Sequence, residues 1–232
     1  MNDTDRTDRT DRTDRTDRAP RHHGAPTRFD VEALAAGRWR NGGGATREIV
    51  ARPAGGEEFG WRASVADIDA DGPFSAFPGV DRTLTLLAGD GVRLCAPGEF
   101  DRLIAVAGEP FAFSGDLALD ARLPGGPCRV LNVMARRGRW AARVARITAM
   151  AEPSPGHGGL LYVLSGTWRT DPGAGAGVLT SGQGVWWDGA EPDAGTDMDT
   201  DTDTGAGTGG GTTFVPLSPD AAALWADIAP AD

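Results

Sequence analysis

The 232-residue chain contains no lysine; all 23 of its basic residues are arginine. A P-loop lysine, a Schiff-base lysine and a catalytic lysine are thereby excluded. No run of eighteen apolar residues occurs, so no membrane-spanning helix is expected. No apolar stretch follows the N-terminal charges, so no secretory signal is expected there and a cytoplasmic location is expected. Of two cysteines, Cys95 and Cys128, neither belongs to a CxxC pair. In that compartment they are expected to be buried free thiols rather than a disulfide. Beyond His22 and His23 near the start there is one histidine, His157. One imidazole is too few for the usual three- or four-ligand metal site, so no metal and no cofactor is expected. His157 lies in a Gly/Pro-rich loop and is expected to face solvent.

The formal net charge of -10 is confined to one region. Residues 1–27 hold six aspartates and six arginines, residues 28–187 are neutral, and residues 188–232 hold ten acidic side chains and no basic one. A neutral body offers no electrostatic footprint for nucleic acid. From Thr4 to Arg18 the triplet Thr-Asp-Arg repeats without an apolar residue, so residues 1–27 are expected to form a disordered tail. Gly, Thr and Asp dominate residues 191–213, expected to be a disordered surface insertion within a single unit spanning 28–229. Its Asp-Thr alternation lacks the defined turn and terminal bidentate carboxylate of a calcium loop.

Between these segments the pattern is mainly β. "EFGWRASVADI" alternates around Trp61, Ala63, Val65 and Ile68, and "DRTLTLLAGDGVRLCAP" gives strand, Gly-Asp-Gly turn and strand. Two helices are expected. One is in "TRFDVEALAAGRW", where Phe29, Val31, Leu34 and Ala35 share a face; the other is in "SPDAAALWADIA", with Ser218 as N-cap and Pro219 at the first helical position. An internal echo sets Leu86-Leu87-Ala88-Gly89 against Val163-Leu164-Ser165-Gly166, as tandem barrels would.

The most unusual run is "WRNGGGATREI", from Trp39 to Ile49. Gly42, Gly43 and Gly44 free the backbone for positive φ and close approach. Around them stand Arg40, Asn41, Thr46, Arg47 and Glu48, with Trp39 as a flat apolar wall. Arginine grips a carboxylate with two parallel bonds, and exposed glycine N–H groups add donors, so the loop suits a small carboxylate or amide. The competing reading is a glycine-rich turn into a strand, with Arg47 and Glu48 on its wet side. A phosphate loop is excluded because the GxxxxGK[ST] spacing is missing.

Other candidates are sparser. Phe74 and Phe77 either plug a barrel end or wall a pocket. Strand alternation puts Asn132, Met134 and Arg136 on one face, making Asn132 and Arg136 candidate contacts. Ser64 sits outside any GxSxG signature and is a candidate contact rather than a nucleophile. Arg129 beside Cys128 could lower the thiol pKa, but no histidine is placed as its base. General-base work by Glu48 or Asp67 stays open, since burial and a neighbouring arginine push a carboxylate in opposite directions.

"WRNGGGATREI", "WRASVADIDADGPFSAFPGVDRTLTLLAGDGVRL" and "GPCRVLNVMARRG", in that order, resemble the blocks that mark the HutD/Ves family. The resemblance covers roughly residues 31–190 and extends to the C-terminal segment; the repeat tail and the acidic insertion depart from it. It implies an all-β double cupin, two antiparallel barrels in tandem, with a few short helices. HutD relatives are encoded with histidine-utilisation enzymes and are thought to sense a pathway intermediate. The implied function is therefore non-catalytic binding of a small anionic metabolite, by a monomer or homodimer, with no nucleic-acid or membrane partner. The alternatives are a metal-independent isomerase or hydrolase using Glu48 or Asp67, and a Ves-like, stress-associated interaction protein.

Overall fold

A computed structural model describes residues 26–54, 58–171, 177–190 and 212–231. The Thr-Asp-Arg repeat and nearly all of the acidic insertion lie outside these residues. Eighteen strands form four antiparallel sheets. The largest joins β2 (Ala36–Arg38), β3 (Gly44–Arg52), β4 (Trp61–Ile68), β11 (Cys128–Arg136), β6 (Val80–Ala88) and β9 (Pro110–Ser114), in that spatial order. Facing it are β5 (Gly72–Phe74), β10 (Leu119–Arg122), β7 (Val92–Ala96) and β8 (Phe100–Ile104). The second half repeats the plan. A five-stranded sheet orders β1 (Thr27–Asp30), β16 (Gln183–Trp187), β13 (Gly158–Ser165), β18 (Ala222–Pro230) and β12 (Trp140–Ile147). A three-stranded one orders β15 (Gly177–Thr180), β14 (Thr167–Thr170) and β17 (Phe214–Pro216).

The ladders match the two halves over seven strands, while β2, β3 and β5 have no counterpart in the second half and β1 has none in the first. In the first, β11 lies between β4 and β6, β6 continues to β9, and β7 lies between β10 and β8. In the second, β18 lies between β12 and β13, β13 continues to β16, and β14 lies between β17 and β15. The sequence echo falls at one topological point in both: β6 and β13 each leave the larger sheet through a glycine of positive φ, Gly89 at 95° and Gly166 at 66°. A glycine there avoids the steric penalty of the left-handed region. The fold is thus a double cupin.

Period-2 alternation decides what each sheet face buries. On β4 and β11, Ala63, Val65, Leu131, Val133 and Ala135 turn toward the other half. There they pack with Leu160, Tyr162, Leu224, Ala226 and Ile228. Ile68, Leu84, Leu86 and Val130 turn inward, against Val92, Leu94 and Leu119 of the smaller sheet. The second barrel is filled by Leu161, Val163, Val185, Trp168, Trp187 and Phe214. Each fully buried aliphatic side chain contributes roughly 1.5–3 kcal/mol. A one-residue slip would exchange the two faces of a strand, so the register is strongly fixed.

Both expected helices are strands. Around Phe29 the chain forms β1 and pairs with β16, followed by one 3-10 turn at Val31–Ala33 and the short β2. Phe29 and Val31 are buried by cross-strand packing, which overrides the helical spacing. Residues 222–230 form β18, central in its sheet, where Ala222, Leu224, Ala226 and Ile228 alternate into the inter-barrel side and its neighbours. Three consecutive alanines fit either structure, and pairing on both flanks decides for the strand. Ser218 caps no helix; its hydroxyl accepts from Thr167 N–H and orders the turn before β14.

Candidate functional site

The first barrel encloses a cavity of about 560 Å³ between its sheets. Its floor follows from the alternation. Across β4, β11 and β6 run three rows of one face: Arg62–Met134–Arg82, Ser64–Asn132–Leu84 and Ala66–Val130–Leu86. Thr46 on β3 lies opposite Ala66 and extends the last row. Over the mouth stand Trp39, Arg40 and Asn41 from the β2–β3 hairpin, and Phe74, Ser75 and Phe77 from the segment that includes β5.

The hairpin is built to hold Trp39 in place. Its indole Nε1 donates to Thr46 Oγ1 at 2.8 Å, and its ring meets Phe74 edge-on at 5.9 Å. Gly44 lies under that ring; a Cβ there would sit 3.1 Å from the indole and 2.3 Å from Asp67 O. Gly42 takes φ 74° to turn the chain. The N–H groups expected to serve a ligand are used within the loop: Gly42 N–H donates to Trp39 O, and Gly43 N–H to Asn41 Oδ1. The glycines thus serve the turn and the close approach rather than donating.

Arg82 is the dominant charge. Its residue is 3% exposed, and among the described residues no carboxylate touches it. One NH group donates to Ser75 O at 3.0 Å, and Nε has no partner. Phe77 and Phe113 each lie 5.1 Å from its guanidinium and Phe74 lies 5.6 Å away, a cation–π enclosure. Burial, and then the like charge of Arg62, lower its pKa to about 10, leaving it a cation at neutral pH. Arg62 Nε is 2.8 Å from Glu48 Oε2, yet it is not aligned for a hydrogen bond. Asn132, 7% exposed, leaves its Oδ1 without a partner. Arg38 approaches Asp69 at 3.8 Å, and Arg40 has no ionic partner among the described residues. The cavity therefore presents positive charge and the unpartnered Nε donors of Arg62 and Arg82, the complement of a small anion, while Asn132 Oδ1 offers an acceptor for a donor elsewhere on a ligand.

Of the residues expected to bind, Trp39, Arg40, Asn41, Thr46, Ser64, Phe74 and Asn132 line this cavity. Gly42, Gly43, Arg47, Glu48 and Arg136 do not. Arg136 turns its Nε to Phe59 O at 3.1 Å, so the shared face of Asn132 and Met134 does not carry it into the cavity. Of the two readings weighed for Phe74 and Phe77, plug or wall, both rings line the cavity. Arg38, Arg62 and Arg82 were missed. The signal was present for two: Arg62 shares parity with Ser64 and Ala66, and Arg82 with Leu84 and Leu86.

Arg47 and Asp67 lie on the other side of the sheet, in a shallow groove of about 540 Å³ that Cys128 also lines. Burial opposes the charged Asp67 carboxylate, but hydrogen bonds from Arg129 and Arg47 outweigh it and hold its pKa below the ordinary value. Arg129 reaches on to Glu32, next to β1, and so joins the first barrel to a segment paired with the second. Asp67 is a structural anion here and a poor base. Burial, and then the charge of Asp67, push the Cys128 thiol up to about 11, the reverse of activation by Arg129. Cys128 is buried and Cys95 half-buried, both as free thiols. His157 is half-buried rather than fully solvent-facing. Its Nδ1 lies 2.9 Å from Asp227 Oδ2 in the second barrel, with side-chain exposures of 31% for His157 and 26% for Asp227. Among the described residues no cluster of three His, Cys, Asp or Glu side chains could hold a metal, and no helix is long and apolar enough to cross a membrane.

Residues 31–205 match the HutD family model. The chain is 39% identical over 160 residues to protein Ves of Citrobacter koseri, covering 68% of this chain and 81% of that protein. A conserved protein of unknown function from Pseudomonas aeruginosa superposes with a TM-score of 0.72 at 23% identity, over 89% of this chain and all of that one. HutD of Pseudomonas fluorescens, solved in a formate condition, gives 0.70 at 25% identity, over 90% and 100%.

Proposed function

The chain belongs to the HutD family, and from that premise we propose that it binds a small anionic metabolite in the first barrel without transforming it. The observation that carries this reading is Arg82, a buried cation with an unpartnered Nε donor and, among the described residues, no carboxylate partner. Burying an uncompensated charge is costly, and a bound carboxylate would offset that cost with charge-assisted bonds. Arg40, Asn41 and Thr46 serve as further contacts and Trp39 as the packing surface. An intermediate of histidine breakdown, such as urocanate or a formylated glutamate derivative, has suitable size and charge and accords with the family's name. Acid–base catalysis draws little support: Asp67 is held by two arginines on the other face, and Glu48 is half-exposed beside Arg62.

The test is a thermal-shift titration of the full chain with histidine, urocanate, formiminoglutamate, formylglutamate and formate. Wild type, Arg82→Met and Arg40→Ala are compared. Saturating ligand at about 100 times its Kd should stabilise the wild type by roughly 2.7 kcal/mol. That gain should vanish in Arg82→Met and shrink in Arg40→Ala. No shift with any compound would remove the histidine-pathway reading, and product formation from any of them would replace binding with catalysis.

A further inference from the structure

Resting on that reading, we infer that the cavity selects acids that carry no ammonium group and rejects free amino acids of the same size. The reason is its inventory of charges and acceptors. Among the described residues, the charged side chains lining it are Arg38, Arg40, Arg62 and Arg82, with no carboxylate or imidazole. The carboxylates that touch these arginines, Glu48 on Arg62 and Asp69 on Arg38, lie outside the wall and are already engaged.

An ammonium brings three donors and a full charge, and it needs acceptors for both. Most acceptors in the cavity are occupied. Ser75 O receives Arg82, Asn41 Oδ1 receives Gly43 N–H at 3.0 Å, and Thr46 Oγ1 receives Trp39 Nε1. The Asn132 Oδ1 and the Ser64 hydroxyl remain, and these two share one row of the sheet. That row adjoins Arg62–Met134–Arg82. Successive same-face residues are about 7 Å apart along a strand, so an ammonium at Asn132 would face two guanidiniums at short range. Like charges so placed repel, all the more strongly with water excluded. A neutral N–H or O–H satisfies the same Asn132 oxygen without that repulsion. The anionic end of either kind of ligand is bound equally by Arg82, so the amine alone separates them.

The experiment is calorimetric titration of the full chain with three pairs differing only in the amine: acetate against glycine, succinate against aspartate, glutarate against glutamate. The minimal pair fits a cavity of this volume whatever the size of the natural ligand. In each pair that binds, the amine-free acid should be favoured at least about tenfold. Asn132→Asp, which puts a carboxylate at the free acceptor, should reduce that ratio severalfold or invert it. Equal affinities within the pairs would overturn the selection rule while leaving anion binding in place. Absence of binding by all six would overturn both the rule and the reading beneath it.

Discussion

Two barrels of one plan have opposite interiors, and their ladders show residue by residue how this arises. The sequence echo sets Leu86 level with Val163, which places Arg82 level with Gly159. Across the ladders, Asn132 then corresponds to Trp225, Met134 to Asp227 and Phe113 to Trp187. In the second barrel the indole of Trp187 lies over Gly159, where a Cβ would come within 2.6 Å of the ring. Trp187, Trp225 and Phe214 pack at centroid distances of 4.8 to 5.6 Å and fill the interior. In the first barrel the equivalent positions hold an arginine and an amide, and a cavity remains. A shared seven-strand plan is therefore committed to stability in one half and to a polar chamber in the other by a few inward positions, together with the β2–β3 hairpin and β5 that only the first half carries.

The largest expected break in this contrast is Trp187→Ala, which opens a void in the filled barrel. Losses for buried Trp→Ala run about 3–5 kcal/mol, and urea denaturation should show a loss of that order without altering anion binding. An unchanged midpoint would mean that the second interior is not the stabilising one. Arg82→Met should act in the opposite direction. Replacing a buried, unpaired cation by an apolar side chain of similar length should stabilise the ligand-free protein by roughly 1–4 kcal/mol and abolish binding, as expected where function is held at the expense of stability. Because burial lowers the Arg82 pKa to about 10, the cost is fully present below that pH. It is relieved as pH rises from about 10 toward the ordinary arginine value, over which range the unfolded chain holds the extra proton. A destabilised Arg82→Met would show that the aromatic enclosure outweighs the missing counter-charge.

A smaller effect sharpens the comparison at the seam, where arginines are paired. Asp67 has a lowered pKa, so its contribution is present above the unfolded value near 3.8 and is lost as pH falls through the folded one. Asp67→Asn should cost roughly 1.5–3 kcal/mol at neutral pH and flatten the acid limb of a stability–pH profile below about pH 4. A variant with the wild-type acid limb would place the titrating group elsewhere.

The strands of "WRASVADI" and "VDRTLTLL" and the Trp39–Thr46 loop were legible because period-2 alternation and glycine clusters are local signals. So was the double barrel, through the sequence blocks and the echo. Residues 27–39 and 222–230 were misread because their apolar spacing fits both periods, and only pairing partners far away in the chain separate a strand from a helix there. The role of the glycine N–H groups was misread because their acceptors are set by the closed turn.

Composition and pattern by themselves determined the all-β architecture, the absence of lysine chemistry and the neutrality of the body. Which arginines are neutralised was decided only by tertiary structure. Arg47 and Arg129 meet Asp67 across neighbouring strands, whereas Arg82 is carried by strand parity into an interior that holds no carboxylate. Charge pairing depends on side-chain direction and register, and those become fixed when the sheets close.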